Sequence, residues 1–249
     1  MSTRDSSIQP RSGLLTALDV IIAPQAAFER LALAPTWAWA FLLTAAVGIA
    51  TNFVILPAVL HALDASLPAQ LLQNHAVQSL PSDKQQTQIA ASLSFAHTFA
   101  NFNWVIAPFA ILLVVLVQTV VLLIVNAAAK GKGNFRRLWA LAMNVGVVGF
   151  GISYLVTALV VLVRGPAAFD STIALQNAVP GLGSFVPSSA PVLAAFLGPF
   201  TLVNLWAAAL FVAGLRVIAG IGTTSAVIAV AVMLLGQGLV SAIGPALQH

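Results

Sequence analysis

The chain has 249 residues, of which 60% are hydrophobic and 6% charged, with ten Lys and Arg, six Asp and Glu and no cysteine. A soluble domain carries roughly 25% charged residues because water-facing surface has to be polar. Sixteen charges cannot cover a globule of this size, so a soluble enzyme or a soluble nucleic-acid binder is excluded. The sequence pI of 10.4 rests on a net charge of only +4, and no nucleic-acid partner is expected from so few scattered bases. Without cysteine there is no disulfide, thiolate nucleophile or cysteine metal site.

The first 35 residues form a unit of their own. The apolar run over 14–22 is too short for a span, is interrupted by Asp19 and is followed by no small-residue cleavage pattern before Pro24, so no cleaved signal is expected. Leu14, Leu18 and Ile22 recur at helical spacing, and Ala27, Phe28 and Leu31 do so after Pro24, a good first-turn residue. Two short amphipathic helices on the cytoplasmic membrane surface are predicted.

Residues 36–249 are predicted to form an all-α bundle of five transmembrane helices. A span needs about 20 apolar residues. Charge-free runs of that length cover about 37–60, 104–129, 138–163, 192–215 and 223–243. None shows the alternation of barrel strands, and backbone groups in lipid must be satisfied within the segment, so these are helices. With the N-terminus cytoplasmic, that side holds Arg4, Arg11, Arg30, Lys130, Lys132, Arg136, Arg137 and Arg216, leaving Lys84 and Arg164 outside. Five spans then put the C-terminus outside. Between the first two spans, 61–103 resembles two short helices, with Ser82 and Gln85 in capping-box positions and Ile89, Leu93, Ala96 and Ala100 on one face. Prolines 180, 187 and 191 predict turns and extended chain before the fourth span.

Two stretches carry a family resemblance: Ala23-Pro24-Gln25-Ala26-Ala27-Phe28-Glu29-Arg30-Leu31 before Pro35-Thr36-Trp37, and Val203-Asn204-Leu205-Trp206 running through to Gly214-Leu215-Arg216. With the basic loop Gly131-Lys132-Gly133-Asn134-Phe135-Arg136-Arg137 between them, the chain from about Pro24 onward resembles the YIP-domain family of polytopic proteins named for interacting with Ypt/Rab GTPases. The resemblance implies five spans, a cytoplasmic N-terminus and no known catalysis. The sole tyrosine, Tyr154, leaves the eukaryotic branch's tyrosine-glycine pattern absent, and the N-terminal arm is short. The form is similar to the bacterial branch, implying the cytoplasmic membrane, and GTPase binding is not carried over.

Polar groups in hydrocarbon are costly, which singles out Asn52, Gln118, Asn126, Asn144, Asn204 and Gln237. They are expected to bond neighbouring helices, the competing role being to line a solute path. Pro57, Pro108 and Pro199 fall in or near spans, where proline is common and permits a kink. His61, His75 and His97 share the outer segment with Asp64 and Asp83, but their spacing fits no metal pattern, and no catalytic motif is present. No metal, cofactor or catalytic residue is expected. Lys130, Lys132, Arg136 and Arg137 are the densest charge cluster and the expected contact with lipid headgroups. Trp37, Trp39, Trp104 and Trp139 fit an aromatic belt, while Trp206 is expected inside the bundle. Gly146, Gly149 and Gly151, and Ala209 with Ala213, are expected at close helix contacts. The reading is a membrane scaffold acting through lipids and a protein partner or second copy; the alternative is a small transporter or channel subunit.

Overall fold

A computed structural model describes residues 12–187 and 189–246. Arg4, Arg11 and the C-terminal His249 of the charge pattern lie outside the described residues. The chain runs through α1 (Gly13–Ile22), α2 (Pro24–Leu33), α3 (Ala38–Gln73), α4 (His75–Gln78) and α5 (Ser82–Ala128). It continues through α6 (Phe135–Gly146), a π-helical segment (Val147–Ile152), α7 (Ser153–Arg164), α8 (Thr172–Gln176), α9 (Pro191–Leu197), α10 (Leu202–Ile218) and α11 (Thr223–Ala246). Four helical stretches are long and apolar enough to cross a membrane: α3, α5, the continuous run from α6 to α7, and α11.

The first two of these outrun their predicted spans. α3 has 36 residues and α5 has 47, about 54 and 70 Å at the helical rise, against about 30 Å of hydrocarbon. The polar segment 61–103 is therefore the continuation of α3 and α5, packed side by side and joined through α4. Pro57 and Pro68 lie inside α3 and Pro108 inside α5 without ending either helix. Ser82 is the first residue of α5, not its cap, and Gln85 donates instead to the Leu80 and Gln78 carbonyls. The face with Ile89, Leu93, Ala96 and Ala100 is half-buried, as its spacing predicts.

α6 is the axis of the core. Leu138, Ala140, Leu141, Ala142, Met143 and Val145 of α6, and Val148 just beyond it in the π-helical segment, have no exposure, so protein surrounds α6 past its basic first turn. Its neighbours are α2, α3, α5 and α10. Phe28 and Leu31 of α2 are also fully buried, with α2 lying against α10 and α6. The apolar face of α2 that its spacing predicts is covered by the bundle. α1 turns Thr16, Ala17, Asp19 and Val20 inward and leaves Leu14, Leu15, Leu18 and Ile22 exposed. Polar groups inside and apolar groups outside suit a lipid exterior, not water.

The fourth predicted span is not one helix. α9 ends before Gly198-Pro199-Phe200-Thr201, and α10 starts afresh with Thr201 Oγ1 accepting from the Asn204 N–H at 3.1 Å. Pro199 has no N–H to donate, and the Thr201 cap satisfies the first turn after the break. α9 packs against α11, and α10 against α6 and the π-helical segment. Close approach between α10 and the third span involves Ala207, which a Cβ on Gly149 would meet at 3.5 Å, whereas Ala209 is exposed. Trp206 is likewise 38% exposed, correcting its expected place inside the bundle. Trp37, Trp39 and Trp104 are exposed, and Trp139 packs edge-on against Trp37.

Candidate functional site

Hydrogen bonds sort the charged residues to two ends of the bundle. At one end, Lys130 to Arg137 close the turn between α5 and α6. The Lys132 N–H donates to the Ala219 carbonyl at 2.7 Å, bringing the loop beside the C-terminal end of α10 and Arg216. At the other end, His97 of α5 bonds Asp64 of α3 at 2.9 Å, and His61 lies 3.5 Å from Asp170. Arg164 sits over the Phe169 ring there. These cross-element pairs were not legible in the sequence, where His97 and Asp64 are 33 positions apart. Among the described residues no group of three His, Cys, Asp or Glu could hold a metal ion.

The basic loop is built from backbone bonds and one side chain. Asn126, 5% exposed near the end of α5, donates through Nδ2 to the Gly133 carbonyl at 2.9 Å and accepts the Gly133 N–H at 3.1 Å. Gly131 donates to the Asn126 carbonyl at 2.8 Å. A Cβ on Gly131 would overlap Asn126 Oδ1 and Ile221, so glycine is required by the closeness of the packing. Asn134 then caps α6 by accepting the Arg137 N–H at 3.0 Å. Lys130 has φ 53°, a left-handed conformation uncommon for residues other than glycine. Asn126 thus clamps the loop through both atoms of its amide.

The other polar residues of the spans are dispersed. Asn52 donates to the Gly48 carbonyl at 2.9 Å and accepts from Asn103 Nδ2 at 2.6 Å, tying α3 to α5. Asn144 donates to the carbonyls of Ala140 and Thr36, both at 2.8 Å, joining α6 to the segment before α3. Asn204 donates to the Pro199 carbonyl at 2.7 Å and secures the break before α10. Gln118 is buried with its Oε1 unpartnered, as are Thr44 Oγ1 and Asn144 Oδ1. Gln237 on α11 is half-buried. Asn103 and Thr36 were missed as partners because each reads as flanking polar sequence, and only the fold brings them to Asn52 and Asn144.

Apolar helices of spanning length, a buried axis helix and an apolar exterior define an α-helical integral membrane protein. Comparison with protein-family models, curated proteins and solved structures found no match to this chain.

Proposed function

We propose that the chain is a non-catalytic membrane scaffold of the YIP-domain type, with its basic end in the cytoplasm of a bacterial cell. On this reading it crosses the membrane five times, α9 and α10 together making the fourth crossing around the Pro199 break. Positive charge at the cytoplasmic end of short loops is the basis of that orientation.

One observation carries the scaffold reading: the amide groups of Asn52, Asn126, Asn144 and Asn204 are engaged at separate points with helix backbone, the loop or another asparagine. Such bonds hold helices together and leave no shared polar lining. The spans also hold no charged side chain in the runs that would lie in hydrocarbon, whereas coupled transport uses titratable or ion-binding groups. The transporter or channel reading draws on the unpartnered Gln118 Oε1, Thr44 Oγ1 and Asn144 Oδ1.

Affinity purification in lipid nanodiscs, with mass spectrometry of proteins and lipids, tests the proposal. A reproducible protein partner or a stable oligomer is the expected result. A chain that always runs alone, with a retained small molecule, would replace the scaffold by the transporter.

A further inference from the structure

Five cations gather at one end of the bundle. Lys130, Lys132, Arg136 and Arg137 come from the turn between α5 and α6, and the Lys132 to Ala219 bond brings Arg216 beside them. Among the described residues none of the five is in an ion pair. Of the acidic residues of the neighbouring N-terminal helices, Asp19 is ion-paired with Arg30, and Glu29 accepts from the Gln25 amide one turn away on α2. Like charges held together without counter-ions repel, and in lipid the available counter-ion is a phosphate.

The loop is also held rigidly. Asn126 grips Gly133 from both sides, and the Lys132 backbone is fixed to Ala219. Among the described residues Lys130 is the non-glycine residue with positive φ, a conformation glycine would adopt without strain. That conformation fixes the direction in which the Lys130 side chain leaves the end of α5.

We propose that this end is a phosphate-binding site, formed by Lys130, Lys132, Arg137 and Arg216, with Asn126 as the positioning residue. It rests on the reading of this end as facing anionic headgroups. The phosphate belongs to an anionic lipid or to a soluble phosphate ester.

The full chain is placed in nanodiscs of phosphatidylcholine, with or without phosphatidic acid, and retained lipids are counted by native mass spectrometry. Unfolding midpoints are measured in parallel, with glycerol 3-phosphate added to the discs lacking phosphatidic acid. Preferential retention of phosphatidic acid is expected. Lys132→Gln and Arg216→Gln each lower that preference about fivefold, the effect of one basic residue at an anionic surface. Arg164→Gln, at the opposite end, leaves it unchanged. Asn126→Leu keeps every charge and still lowers it. If that variant does not fold, Lys130→Gly removes a charge while relieving the backbone, and is expected to lower the preference about fivefold without a lower midpoint. Protection by glycerol 3-phosphate equal to that by phosphatidic acid keeps the site and assigns it a soluble ester. No preference for phosphatidic acid and no protection by the ester, or an equal loss in Arg164→Gln, overturns the proposal. Partner capture is a separate readout, so loss of this site and failure of the scaffold reading are distinguishable.

Discussion

Arg30 on α2 is ion-paired with Asp19 on α1, and both side chains are largely buried, at 14% and 9% exposure. The pair staples two helices joined by the single residue Ala23. Removing one member leaves a buried charge without its partner, which costs about 3–5 kcal/mol, whereas replacing both by apolar groups is often near neutral. Asp19→Ala is therefore expected to destabilise strongly and Asp19→Leu with Arg30→Leu to recover most of the loss. Denaturant unfolding in nanodiscs measures both; equal losses in the single and double variants would contradict the staple.

The bond between Asn52 and Asn103 has a smaller predicted effect. Side-chain hydrogen bonds between membrane helices contribute about 0.6–2 kcal/mol. A double-mutant cycle with Asn52→Leu and Asn103→Leu is expected to give a coupling in that range, and zero coupling would mean that the two amides do not hold α3 to α5.

Gly238 on α11 marks the seam with α9. A Cβ there would stand 2.7 Å from the Phe196 carbonyl oxygen, a backbone atom unable to rotate away. Gly238→Ala is expected to lower stability by about 1–3 kcal/mol through overpacking. Gly236, with open space around it, supplies the matched control: Gly236→Ala should be neutral or stabilising.

α1 presents Leu18 and Ile22 outward, at 40% and 78% exposure. With no native cysteine, single-cysteine variants at these positions report their surroundings without background. Neither is expected to react with a water-soluble thiol reagent in native membranes, because a thiol needs water to ionise. Rapid labelling at both would place α1 in water.

Much of the fold was legible because its main signal is compositional: the uncharged runs around 37–60, 104–129, 138–163 and 223–243 each fall within a spanning helix. The length of α3 and α5 was not, because 61–103 mixes polar residues with apolar ones, and the two helices there cover each other along a narrow face. The Pro199 break was obscured by an uninterrupted apolar run in which Pro57 and Pro108 are tolerated while Gly198-Pro199 is not. For α2, the spacing of Phe28 and Leu31 identifies an apolar face but does not distinguish cover by lipid from cover by α10 and α6. The basic loop was legible as charge, whereas the Asn126 clamp needed the seven-residue return that brings Gly133 back to it.

Whether the asparagines hold helices or line a water path is the question on which the scaffold account turns, and it does not require a known ligand. Single cysteines at positions 52, 144 and 204, with one at 132 as the exposed reference, can be treated with a charged, water-soluble thiol reagent in native membranes, where only a hydrated thiolate reacts. The account predicts rapid labelling at 132 and none at the other three. Labelling of 52, 144 and 204 at rates approaching that of 132 would reveal a hydrated path and contradict it.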